Sequence, residues 1–73
     1  MKERAYPVYT VNKHAEANLV AGHPWVYEND ILHSPENEPE NGTLADVVST
    51  KGAYLGTGFV SLKSKIRVRL ISR

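Results

Sequence analysis

The stretch from Ile66 to Ser72 holds the residues whose types and spacing first suggest chemistry. Ile66, Val68 and Leu70 alternate with Arg67, Arg69 and Ile71. Successive side chains of a strand leave on opposite faces. The alternation therefore predicts Ile66, Val68 and Leu70 toward a core, and Arg67 and Arg69 outward together. Lys63 and Lys65 precede them at the same two-residue spacing, so an extended connection would line four cations along one sheet edge. Repeated cations suit a polyanion, because each phosphate neutralised releases condensed counterions. The same pattern also describes a solvated outer face, or the charges that keep an edge strand from pairing with another chain. The residues alone leave both readings open.

Gly22-His23-Pro24-Trp25 is the second constellation. Exposed loop amides and a large ring can meet a nucleotide by hydrogen bonding and stacking, and His23 could reach a phosphate or a base. Trp25 is the only Trp in the chain, and a large aromatic at a strand start reads first as a core anchor. Tyr27, Tyr54 and Phe59 are read as core or barrel-wall residues. For His23, a helix-end cap or plain exposure is the alternative.

No catalytic residue is assigned. The sequence holds no His-Glu-x-x-His, no phosphate loop and no Gly-x-Ser-x-Gly. His14, His23 and His33 are not at metal-ligand spacing, so no metal site is expected. Gly52-x-x-x-Gly56-x-Gly58 is not a dinucleotide fingerprint, since no helix is expected after it. There are no cysteines, hence no disulfide, no zinc-thiolate site and no thiol nucleophile.

The elements that must position these residues are short. Tyr6 to Val11 is β-prone, with Pro7 confining it to an edge or to pairing beyond the proline. Asn12 is a good N-cap for a helix over Lys13 to Ala21. Gly22 suits a left-handed C-cap, and Pro24 prevents continuation. Trp25 to Tyr27 is a short strand, Asn29-Asp30 a turn or bulge, and Ile31 to His33 a resumed strand. Ser34 to Asn41, with two prolines and three glutamates, is a solvated acidic loop. Asn41-Gly42-Thr43 matches a glycosylation sequon but reads as a turn. Leu44 to Ser49 and Ala53 to Val60 are strands around a Thr50-Lys51-Gly52 hairpin turn, and Ser61 to Lys65 is a polar loop before the last strand. Gly56 and Gly58 mark bends that let a small sheet curl toward a barrel. The expected fold is mostly β with one short helix: a small pseudobarrel of about five or six short, mostly antiparallel strands.

At 73 residues the chain makes one domain with one thin core. Ordering costs roughly 1.5 kcal/mol per residue and apolar burial returns about as much, so the stability margin should be small. The chain has no room for both a cofactor-binding fold and a substrate domain, and a self-contained enzyme is not expected on size. Hydrophobic residues are 41% of the chain, without the run of about 20 that a membrane span needs. The Met1-Lys2-Glu3-Arg4 head lacks the apolar stretch of a signal peptide, so a cytoplasmic setting is expected. The net charge of +1 hides a division. Glu28 to Asp46 holds six acids and no Lys or Arg, while Val47 to Arg73 holds six bases and no acid. Such asymmetry marks an electrostatic partner.

Four segments in order carry a family resemblance: Gly22-His23-Pro24-Trp25-Val26-Tyr27; Gly42 ahead of Asp46-Val47-Val48; Gly52-x-Tyr54-Leu55-Gly56-x-Gly58; and Ser64-Lys65-Ile66-Arg67-Val68-Arg69-Leu70. From about Val11 to Ser72 the chain resembles the N-terminal PUA-like domain of the large-subunit rRNA cytosine-5 methyltransferase I family. The resemblance implies a PUA-like pseudobarrel at the N-terminus of a longer, S-adenosylmethionine-dependent methyltransferase. It places the cofactor and the catalytic cysteines in domains outside these residues, with no cofactor in this one. It implies RNA binding, here rRNA, through Gly22, His23, Pro24 and Trp25 and through Lys63, Lys65, Arg67 and Arg69. The other implied partners are the remaining methyltransferase domains and a second copy of the parent. An interdomain or dimerisation spacer without RNA contact is the alternative. Two departures stand out. Pro35 to Asn41 is longer and more acidic than a strand connection needs, and would screen the basic strand if folded over it. Leu44-Ala45 replaces a Pro-Gly-Asp type of turn.

Overall fold

The computed structural model describes residues 6–36 and 39–72. The Met1 to Arg4 head, Asn37 and Glu38 of the acidic loop, and Arg73 lie outside the described residues. The elements run β1 (Val8–Val11), α1 (Lys13–Val20), β2 (Trp25–Tyr27), a 3-10 turn (Glu28–Asp30), β3 (Ile31–His33), β4 (Leu44–Val48), β5 (Tyr54–Val60) and β6 (Ile66–Ser72). The six strands form one sheet in the order β2-β6-β5-β4-β1-β3. Pairing is antiparallel except between β1 and β4, where Val8 faces Asp46 and Thr10 faces Val48. This is the curled, mostly β architecture with a single helix that the strand pattern predicts, and it is PUA-like.

Local chemistry sets the boundaries. Pro7 cannot donate to a ladder, so β1 begins after it, while its carbonyl still accepts the Asp46 N–H at 2.8 Å. β1 is therefore an interior strand that pairs beyond its proline. The Asn12 Oδ1 caps α1 by accepting the Ala15 N–H at 2.9 Å. Ser49 Oγ accepts the Lys51 and Ala53 amides at the turn between β4 and β5.

The inner face of the sheet supplies Tyr9, Val11, Val26, Ala45, Val47, Val60, Val68 and Leu70 to the core, and Ala15 and Leu19 of α1 close it. Each fully buried Leu or Val side chain contributes about 1.5–3 kcal/mol. Curling depends on Gly58, where a Cβ would overlap the Arg69 carbonyl. Only a residue without a side chain lets β6 approach β5 this closely. Among the described residues no helix is long and apolar enough to cross a membrane.

Several expectations require correction. Trp25 is not a core anchor: it is 46% exposed, and its neighbour Val26 is fully buried in its place. Strand β2 alternates exposed, buried, exposed, so one residue of three faces inward and it is the small one. Of the core and barrel-wall positions expected for Tyr27, Tyr54 and Phe59, the structure gives the wall: all three lie on sheet strands and are exposed, not core. β6 is not an edge strand, because β2 pairs along its outer side. The loop from Leu62 to Lys65 is bent throughout, so Lys63 and Lys65 do not continue the register of Arg67 and Arg69.

Candidate nucleic-acid interface

Helix α1 ends in two backbone bonds. The Gly22 N–H donates to the Leu19 carbonyl at 3.1 Å, and the His23 N–H donates to the Asn18 carbonyl at 3.0 Å. This is a Schellman turn, whose C′ residue must adopt a left-handed conformation. Gly22 does so, with φ of 109°. The reversal ejects His23 and Pro24 from the helix and starts β2 at Trp25. The Pro24 carbonyl then accepts the Leu70 N–H at 2.7 Å, which pins the turn against β6.

That pinning joins the two constellations that the sequence keeps some forty residues apart. Trp25 is the cross-strand partner of Arg69, and the Arg69 guanidinium lies 5.8 Å from the Trp25 ring centre. Such a cation–π pair contributes about 0.5–1 kcal/mol at an exposed site. It also holds a cation beside an open aromatic face. Asn18, His23, Pro24, Trp25 and Tyr27 line one surface groove next to it. Neither Asn18 nor Tyr27 was legible as a groove residue. Asn18 joins only because the turn folds back on its carbonyl, and Tyr27 only because Val26 takes the inward position.

The other three cations are placed differently. Arg67 Nη2 donates to Glu28 Oε1 at 3.2 Å, and its side chain is 18% exposed. The Glu28 N–H donates to the Lys65 carbonyl at 2.8 Å, bringing that carboxylate to the start of β6. Lys63 and Lys65 are exposed on the bent loop. The acidic segment reaches this loop as well: Asn41 Oδ1 accepts the Leu62 N–H at 2.6 Å. The Glu28 carboxylate thus sits at the Arg67 end of β6, while Arg69 bonds to no carboxylate among the described residues.

Comparison with known proteins agrees with this architecture. Ribosomal RNA large subunit methyltransferase I of Shewanella denitrificans is 40% identical over 55 residues, which is 75% of this chain and 14% of that protein. Its counterpart in Photobacterium profundum is 36% identical over 63 residues, 86% of this chain and 16% of that protein. The ribosomal RNA large subunit methyltransferase of Deinococcus radiodurans is 36% identical over 61 residues, 84% and 15% respectively. The chain thus spans about one sixth or less of the relatives it matches. The crystal structure of NSun6 from Pyrococcus horikoshii with SFG superposes with a TM-score of 0.70 at 23% identity, covering 94% of this chain and 19% of that one, a likeness of fold. Residues 10–73 match the PUA-like domain family. With the curled sheet, the single helix and the pinned turn in the same chain, this protein belongs to the PUA-like domain family.

Proposed function

We propose that the chain is an RNA-docking module that brings rRNA to the catalytic domains of a methyltransferase. The observation that carries this reading is the Arg69 guanidinium over Trp25, beside the Gly22-His23-Pro24 turn. A cation next to a half-exposed ring and an exposed turn can meet both parts of an unpaired nucleotide, phosphate and base. Gly22, His23, Pro24 and Trp25 contact the backbone or an unpaired base. Arg69 neutralises a phosphate, and Lys63, Lys65 and Arg67 add to the positive field. The names of the relatives support rRNA as the substrate class. The module is the N-terminal domain of a cytoplasmic, homodimeric parent that uses S-adenosylmethionine to methylate cytosine C5, with all catalytic groups outside these residues. Tethering raises the local concentration of substrate at the catalytic domain.

The test is a titration of the chain with rRNA fragments at two salt concentrations, followed by amide shifts in NMR. Binding is expected to weaken steeply with salt, and shifts to gather at Gly22 to Trp25 and Lys63 to Arg69. Absence of shifts at low salt overturns the reading. The exposed Val20 and Ile71, at 74% and 59%, favour a second reading as an interdomain packing element. That reading expects no RNA binding at either salt and burial of these two side chains in the full parent protein.

A further inference from the structure

The outer face of the sheet carries a ladder that extends the Trp25–Arg69 pair to a third residue, Phe59, which the docking reading does not use. Trp25 on β2 faces Arg69 on β6, and Arg69 faces Phe59 on β5. Directly opposed residues of antiparallel strands point to the same side, so the three side chains form one row across three adjacent strands. Trp25 and Phe59 are each 46% exposed. Gly58 and Val60 on either side of Phe59 are buried on the inner face, which fixes the Phe59 ring outward. Two inter-strand spacings separate the rings by about 10 Å, with the cation between them.

We propose that this row is a stacking platform for single-stranded RNA, with one unpaired base on Trp25, another on Phe59, and Arg69 on the phosphate linking them. The inference rests on the docking reading and adds to it a second base site, Phe59, and a direction for the strand, across β2-β6-β5 rather than along a sheet edge. Charge complementarity selects a polyanion as the occupant: the centre of the row is a guanidinium, with no carboxylate bonded to it among the described residues. An aromatic ring on each side of a cation matches the alternation of base and phosphate in an unpaired strand, and sheets that bind RNA by stacking use aromatics on neighbouring strands in this way. A duplex, whose bases are already stacked and paired, cannot occupy it.

The test compares a short oligouridylate with an RNA hairpin duplex as probes against the chain and its Phe59→Ala, Phe59→Tyr, Trp25→Ala and Arg69→Ala variants, each first checked for an unchanged fold by its NMR spectrum. Phe59→Ala is expected to weaken oligouridylate binding roughly tenfold, the effect of losing one stacked base. Its salt slope should stay unchanged, because no charge is lost. Phe59→Tyr should restore binding, and duplex binding should not respond to either substitution. If Phe59→Ala binds oligouridylate as tightly as the parent chain while Trp25→Ala and Arg69→Ala lose affinity, the platform is refuted and docking through the turn stands. If the unsubstituted chain binds neither probe at low salt, the docking reading falls and the platform falls with it.

Discussion

Arg69 has its guanidinium 5.8 Å from the Trp25 ring centre, while Arg67, two residues earlier, donates to Glu28 at 3.2 Å. A period-two pattern assigns both to the same outward face and says nothing of what each meets there. The difference is testable. Arg69→Ala should lower the salt slope of RNA binding by about 0.7–0.9, one phosphate contact, and lower the melting temperature by only a few degrees, the loss of one exposed cation–π pair. Arg67→Ala removes a mostly buried stem as well as a charge, so its melting temperature should fall and its salt slope change less. Glu28→Gln should raise RNA affinity at low salt, because the carboxylate that offsets Arg67 is gone. Its cost in stability should stay within about 1 kcal/mol, as for an exposed ion pair. Failure of affinity to rise would mean that Arg67 lies off the RNA path. The mistaken inward assignment of Trp25 has a physical cause at this scale too. A three-residue strand turns inward either its middle residue or its two ends, and residue type alone does not choose between them. Here Val26 is inward, so Trp25 and Tyr27 both face out.

Elements were largely legible because their ends carry local chemistry. Asn12, Gly22, Pro7 and the Ser49–Ala53 turn each satisfy or remove a particular backbone donor, and each stands where the strand and helix pattern puts it. The partners of each strand were not legible. Nothing in Trp25-Val26-Tyr27 by itself says that it pairs with β6, so the last strand looked like an edge. Two substitutions check the element-level argument in thermal melts. Asn12→Ala removes the cap of α1 and should cost about 1 kcal/mol. Gly58→Ala should cost considerably more, because the new Cβ meets backbone of β6, which cannot turn aside as a side chain can. If Gly58→Ala melts like the unsubstituted chain, close approach of β5 and β6 does not hold the curl.

For the whole molecule, the charge division from acidic middle to basic end suggested one electrostatic partner surface. In three dimensions the two halves partly meet, at Arg67–Glu28 and where Asn41 holds the loop before β6. Of the four cations Arg67 is the one held by a carboxylate among the described residues, so the salt dependence of RNA binding should reflect about three phosphates rather than four. The strand order has a further consequence, for how the molecule is made. α1 links β1 and β2, which lie four places apart in the sheet, and among the described residues β2 pairs with β6 alone. Pairing that is distant in sequence is slow and closes late. During synthesis the helix, the turn after it and β4-β5 can leave the ribosome and fold while Trp25 still has nothing to pair with. The surface proposed to dock RNA would then be the last part of the domain to mature, and a nascent chain halted before Ile66 would carry a half-sheet in which Trp25 has no strand partner.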